Sequence, residues 1–133
     1  MQVRDEKNDS KIKADDRTMN EILEKLKKTP GILSVVLTDK DGNLLYSSSS
    51  LDASPIVIAG LTSAFAGYLD EMLSNTGMGK LTDTIVNGST GRVIISKLEN
   101  GNILCVFMTA SGNLGLVKFA ISNTIQNLNN LKE

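Results

Sequence analysis

The chain lacks the residues on which several large classes of active site depend. Its 133 residues include no histidine, no tryptophan and one cysteine, Cys105. Without histidine there can be no Ser-His-Asp or Cys-His catalysis, no HExxH metal site and no histidine pH switch. A single cysteine excludes an intrachain disulfide framework and a cysteine-rich zinc site. We therefore expect a protein that is not an enzyme and that has no cofactor or metal.

Aromatic residues and excess charge are also scarce. Aromatic side chains make up 4% of the chain, and 14 basic residues balance 15 acidic ones. Nucleic-acid binders usually combine a basic surface with aromatic stacking platforms, so we expect no nucleic-acid partner. The N-terminus has no apolar core of a signal peptide, and no uninterrupted apolar run reaches membrane length. These absences predict a cytoplasmic protein without an integral membrane segment.

What the chain does have is enough apolar content for one folded domain. Hydrophobic residues make up 41% of the sequence, and the length suits a single core. Residues 1–17 differ from the rest, because they carry five basic and five acidic side chains and little apolar surface. Such a segment cannot bury enough surface to offset its ordering entropy. We predict a charged flexible tail over residues 1–17 and a domain over residues 18–133.

The order of the predicted elements indicates an α+β fold. Thr18 and Glu21 fit a capping box that begins a helix, and Pro30 ends it. The later elements are, in order, strands 32–38 and 43–47, a four-serine connector 47–50, helix 54–75, strands 81–87, 92–98 and 102–109, and a helix after Asn113. Hairpin turns join the strands, which predicts α-β-β-α-β-β-β-α with a five-stranded antiparallel sheet. The most continuously apolar strand, 102–109, is predicted to be central.

Helix 54–75 divides into three faces at 100° per residue. One face is a broad apolar stripe, and a second is a polar sector that contains Thr62 and Asp70. The third is a small-residue face that begins with Gly60, Ala64 and Gly67. Each interior glycine costs about 1 kcal/mol relative to alanine, so this face needs an explanation. Either a second helix crosses it closely, or the glycines lie beneath a strand of the same domain. The members of the apolar stripe are Val57, Ile58, Leu61, Phe65, Tyr68, Leu69 and Met72.

The remaining motifs offer little chemistry. The Gly-Met-Gly-Lys run at 77–80 is no phosphate loop, because a helix precedes it and a strand follows it. Cys105 lies in an apolar strand and is predicted to be buried and unreactive. An arginine finger would have to come from Arg4, Arg17 or Arg92, and all three are predicted to be surface charges.

Several ordered segments resemble a known family. The chain from Leu23 through Thr29-Pro30-Gly31-Ile32 to Asp41-Gly42 is similar to the opening of Roadblock/light-chain-7 domains. Gly91 to Ile95 and Gly101 to Val106 resemble that family's strand block, and Asn113 to Val117 resembles the start of its last helix. The resemblance extends over residues 18–131.

This resemblance implies a profilin-like arrangement, with the long central helix on one face of the sheet and the terminal helices on the other. It also implies a homodimer, or a heterodimer with a related Roadblock chain, in which third strands pair and central helices pack together. Members are platforms that bind, scaffold or activate small Ras-like GTPases. Here such activation would not use an arginine finger. The interface residues implied are Gly60, Ala64, Gly67, Glu71, Thr82, Thr84 and Val86.

A different function remains open for the same general shape. A profilin- or PAS-like domain can act as a small-molecule or signal-sensing module. Such a module needs a cavity in which polar groups converge, and the strongly apolar strands of this chain offer few.

Overall fold

The structure is a computed structural model that describes the backbone of residues 6–131 and the side chains of residues 16–131. Five antiparallel strands form one sheet in the order β2-β1-β5-β4-β3. The predicted element order, the antiparallel sheet and the central place of the last strand are confirmed. The elements are α1 (Glu6–Lys27), β1 (Ile32–Thr38), β2 (Leu44–Ser49), α2 (Pro55–Asn75), β3 (Asp83–Asn87), β4 (Gly91–Lys97), β5 (Ile103–Thr109) and α3 (Leu114–Asn129).

Helices cover both faces of the sheet, so the core has two layers. Side chains of a strand alternate between faces. Val35 of β1 therefore packs with α1 and α3, and its neighbour Val36 packs with α2. Leu104 and Cys105 of β5 divide in the same way. Strands buried on both sides are continuously apolar, which explains the sequences of β1 and β5. The central helix thus lies opposite the two terminal helices, as the family resemblance implies.

Helix α1 begins at Glu6, so the predicted start at Thr18 is wrong. Thr18 lies inside the helix and cannot cap it. No glycine or proline precedes it, and residues 6–17 include several good helix formers, so nothing in this stretch stops the helix from extending towards the N-terminus. Residues 1–5 of the predicted tail lie outside the described residues, and the flexibility of the tail stays a prediction.

Strand β2 includes three of the four serines that we predicted as a connector. Ser47 pairs with Val36, and Ser49 pairs with Ser34. Serine has no strong preference for strands, but the open edge of β1 supplies hydrogen-bonding partners, and this tertiary pairing decides the local structure.

The turn between β1 and β2 holds the position of α2. The Asp39 carboxylate accepts backbone N–H bonds from Asp41 and Asn43 and a bond from the Asn43 side-chain amide, each at 2.9 Å. The side-chain bond from Asn43, followed by its backbone bond, lowers the pKa of Asp39. Gly42 has φ +89°, and a Cβ there would lie 3.3 Å from the Gly60 Cα. Glycine at position 42 is therefore required both by its backbone conformation and by the close approach of the turn to α2.

Candidate protein interface

Helix α2 rests on the sheet through small side chains. Ala59, Thr62 and Ala66 are its buried residues. Thr62, which we assigned to a polar sector, is hydrogen-bonded to the Cys105 thiol below it. Small residues on this side bring the helix axis close to the sheet, while most of the large apolar side chains point elsewhere.

The large side chains form an exposed apolar surface, which we call the α2 apolar face. Leu61 is 62% exposed, Tyr68 71% and Met72 62%, and Val57 and Phe65 complete the face. These five residues belong to the apolar stripe that the sequence predicts, but they do not contribute to the subunit core. A contiguous exposed apolar surface on a small domain marks an interaction site.

A groove of about 310 Å³ continues this face onto the sheet. It exists because α2 lies over β1, β2 and β5 and leaves the β3 side of the sheet uncovered. Leu61 and Phe65 form its helical wall, and Val86, Val93 and Phe107 form its floor. Its exposed lining is apolar, so it lacks the converging polar groups that a sensing module would use.

Within the part of the chain that the structure describes, strand β3 forms one edge of the sheet and pairs only with β4. Thr84 and Val86 alternate onto the α2 side, which places both predicted residues beside the groove. Thr82 precedes the strand and lines a different cavity, together with Lys118 and Ser122 of α3. The structure therefore places Val86 in the groove beside α2 and Thr84 on the same face of the sheet, whereas Thr82 lies elsewhere.

The predicted small-residue face of α2 is exposed. Gly60, Ala64, Gly67 and Glu71 are all open to solvent. A Cβ added at Gly60 or Gly67 would meet no atom within 4 Å, so the glycines do not lie beneath a strand of their own subunit. That alternative is wrong. These four residues do not line the groove, which is bounded instead by the larger side chains on the neighbouring side of the helix.

The cysteine and the described arginines that the sequence analysis considered are either buried, bonded within the subunit or exposed on a helix. Cys105 is buried, and burial raises its pKa to about 11, as expected of an unreactive thiol. Arg92 donates from Nε to the Asn87 side-chain oxygen at 3.1 Å. Arg17 is exposed on α1, and Arg4 lies outside the described residues.

Among the described residues, α2 alone is long and apolar enough to cross a membrane, judged by length and composition only. The sequence analysis did not indicate such a span, because polar residues interrupt the apolar run of this helix. Only 17% of its most apolar stretch is buried within the subunit. The helix nevertheless packs along the sheet, and Ser63 and Asp70 bond to neighbouring segments of the subunit. We therefore interpret α2 as a helix of the folded domain that exposes one apolar side.

Comparison with known proteins yields family and fold matches. The family model for the Roadblock/LC7 domain matches residues 18–107. Uncharacterized protein MJ0310 of Methanocaldococcus jannaschii is 30% identical over 105 residues, which cover 77% of this chain and 90% of that protein.

Two solved structures share the fold. Myxococcus xanthus MglB superposes with a TM-score of 0.80 at 20% identity, covering 84% of this chain and 91% of that one. The gliding protein mglB of Thermus thermophilus superposes with a TM-score of 0.78 at 18% identity, covering 87% and 89%.

Proposed function

Because this chain belongs to the Roadblock/LC7 domain family, we propose that it forms a two-fold dimer that serves as a platform for a small Ras-like GTPase. The observation that carries the dimer is the α2 apolar face with its adjoining groove. A second copy could place its α2 over the uncovered β3 side of this subunit's sheet. That arrangement would remove the α2 apolar face and the groove from water.

The energetics support this arrangement. Fully burying a large apolar side chain contributes about 1.5–3 kcal/mol. Two-fold symmetry uses the same surface on both subunits, so each of the five residues of the α2 apolar face counts twice. These side chains are already partly buried in the subunit, so covering their exposed parts contributes on the order of 10 kcal/mol, comparable to an association cost of about 4–15 kcal/mol.

The free edge of β3 supports the same partner. An exposed strand edge presents unpaired backbone groups and is prone to aggregation unless it is covered. Pairing with the β3 of a second copy continues the sheet across the dimer. The proposed interface comprises Gly60, Ala64, Gly67, Glu71, Thr82, Thr84 and Val86, as the resemblance implies, together with Val57, Leu61, Phe65, Tyr68 and Met72.

The GTPase partner rests on the family resemblance. The platform is not an enzyme in our proposal, and it acts in the cytoplasm. It stimulates hydrolysis, if at all, by positioning the GTPase's own residues. Arg92 is already bonded to Asn87, and Arg17 lies on α1, in the helix layer opposite α2.

The dimer is tested by light scattering at micromolar concentration. We expect wild type to be a dimer and Leu61→Glu to be a monomer, because a carboxylate cannot be buried without a partner. Phe119→Glu is the matched control: Phe119 is 66% exposed, comparable to Leu61, but lies on α3 on the other face. A monomeric wild type, or equal disruption by both variants, would contradict the proposed interface.

A second variant separates the two exposed sides of α2. A Cβ added at Gly67 meets no atom of the subunit within 4 Å, so Gly67→Leu should fold normally. If the small-residue face is part of the dimer contact, this variant is monomeric. If it remains a dimer while Leu61→Glu does not, the contact is made by the α2 apolar face alone.

Partner binding is tested with a purified small Ras-like GTPase from the same organism. We expect the GTP-loaded form to co-elute with the dimer in size-exclusion chromatography, and Leu61→Glu to abolish co-elution. Hydrolysis measured with and without the dimer then distinguishes activation from scaffolding. A dimer that binds the GTPase in neither nucleotide state would favour a sensing or purely structural role.

A further inference from the structure

The hydrogen bonds of β3 reveal which of its residues face the free edge. Lys97 donates its N–H to the Thr82 carbonyl at 2.9 Å, and Gly88 donates to the Gly91 carbonyl at 2.8 Å. Both pairs follow the register that joins β3 to β4. In an antiparallel ladder, hydrogen-bonded pairs recur at every second residue. The even-numbered residues of β3 therefore bond to β4, and the odd-numbered residues direct their N–H and C=O groups outwards.

We propose that two β3 strands pair antiparallel with the two-fold axis at Ile85, so that Asp83 of each subunit lies opposite Asn87 of the partner subunit. This register rests on the dimer proposed above. It matches the outward amides of Asp83, Ile85 and Asn87 with the same set on the second copy. All five residues of the strand then overlap, and each odd-numbered residue becomes part of a hydrogen-bonded pair.

Slipped registers are chemically worse. A slip that places Asp83 opposite the partner's Asp83 sets like charges against each other across the strands. A smaller slip places Asp83 opposite the partner's Ile85, a partly buried side chain that packs against the α1 and α3 core. A slip in the other direction sets the Asn87 amide against that isoleucine. Every slip also shortens the overlap and loses a hydrogen-bonded pair.

Charge complementarity supports the central register. Arg92 lies opposite Asn87 in the β3–β4 ladder and already bonds to its side chain. In the proposed pairing, Asp83 of the partner subunit lies on the other side of Asn87 and on the same face of the sheet. Strands are about 4.8 Å apart, so the Arg92 and partner Asp83 backbones are about 10 Å apart. An extended guanidinium can span that gap and reach the carboxylate.

The even-numbered residues make the register measurable. In this pairing Thr84 lies opposite Val86 of the partner subunit, in a pair that is not hydrogen-bonded. The Cα atoms of such pairs are about 4.5 Å apart, within the range that a disulfide spans. The two directions of slip instead place Thr84 opposite itself or Val86 opposite itself.

The experiment is disulfide cross-linking of mixed cysteine variants. Thr84→Cys and Val86→Cys chains are prepared separately, mixed under reducing conditions, and then oxidised mildly. We expect the mixture to yield at least about fivefold more covalent dimer than either variant alone, because only the mixed pair has the required geometry. The wild-type chain is the control. Its Cys105 is buried with a raised pKa, so it should not cross-link.

Each other outcome overturns the register in a distinguishable way. Efficient cross-linking of Thr84→Cys alone, or of Val86→Cys alone, identifies one of the slipped registers. If light scattering shows a dimer but no combination cross-links, the β3 edge is not the seam, while the dimer itself stands. If the wild-type chain is monomeric, the proposed function fails together with the register.

A charge reversal provides a second, independent readout. Asp83→Lys should raise the dimer dissociation constant by about tenfold at low salt, because it places a cation beside Arg92 of the partner subunit. Adding Arg92→Glu to the same chain should restore most of the affinity. Asp83 and Arg92 of one subunit lie at opposite ends of the strand pair, so this rescue can act only across the seam. Absence of rescue contradicts the register.

Discussion

At the scale of single residues, Asp70 shows how one polar side chain joins three segments. Its carboxylate accepts the Leu81 backbone N–H at 2.6 Å and the Lys97 ammonium at 2.6 Å. These bonds connect α2, the segment before β3, and β4. The hydrogen bond from Lys97, followed by that from Leu81, lowers the pKa of Asp70. The sequence placed Asp70 in a polar sector of the helix, but it gave no sign of its partners, which are distant along the chain.

We expect Asp70→Ala to lower the free energy of unfolding by about 1–3 kcal/mol, because the Leu81 amide loses its partner. Urea unfolding at neutral pH measures this effect. The measurement belongs in the Leu61→Glu background, so that subunit association does not contribute. Glu71→Ala is the control, because Glu71 is the exposed neighbour.

The lowered pKa of Asp70 also predicts a pH dependence. The ionised carboxylate stabilises the fold above the unfolded pKa of 3.8, and this contribution is lost as the pH falls through the lower, folded value. Between neutral and acid pH, the free energy of unfolding should therefore fall less steeply for Asp70→Ala than for the chain that retains Asp70. Equal slopes would show that the carboxylate is not stabilised by its bonds.

At the scale of the element, α2 has two different helical surfaces. Its sheet side is closely packed through Ala59, Thr62 and Ala66, while its large apolar residues are exposed. Periodicity found the apolar stripe but not the side that faces the core. An isolated helix does not specify whether a large or a small side packs on the sheet, because either can be buried if a second surface covers the other.

This packing predicts unequal effects for two alanines on the same helix. Ala66→Leu should cost about 1–3 kcal/mol or more, because Ala66 is 1% exposed and α2 would have to move off the sheet. Ala64→Leu should leave subunit stability nearly unchanged, since Ala64 is exposed. Thermal unfolding of both in the Leu61→Glu background tests this. Equal losses of stability in the two variants would mean that α2 does not pack on the sheet through its small side chains.

At the scale of the whole molecule, the subunit leaves one apolar surface incomplete. The α2 apolar face, the groove and the β3 edge lie side by side, and the proposed two-fold partner covers all three. Such a dimer couples folding to association, because only folded subunits bind each other.

The midpoint of thermal unfolding should therefore rise with protein concentration for wild type. Over a hundredfold range of concentration we expect a shift of several degrees for the wild-type chain and none for Leu61→Glu. Differential scanning fluorimetry measures both, with Phe119→Glu as the variant that should behave like wild type. A wild-type midpoint independent of concentration would contradict a dimer that forms only between folded subunits.

The sequence by itself determined the order of helices and strands, the antiparallel sheet and the central place of β5. Turn residues and apolar runs are local signals, so they need no knowledge of distant segments. Tertiary structure decided the rest. The serines of β2, the buried side of α2 and the partners of Asp70 depend on which distant surfaces meet. Those contacts bury area and satisfy backbone groups, and local propensity is too weak to oppose them.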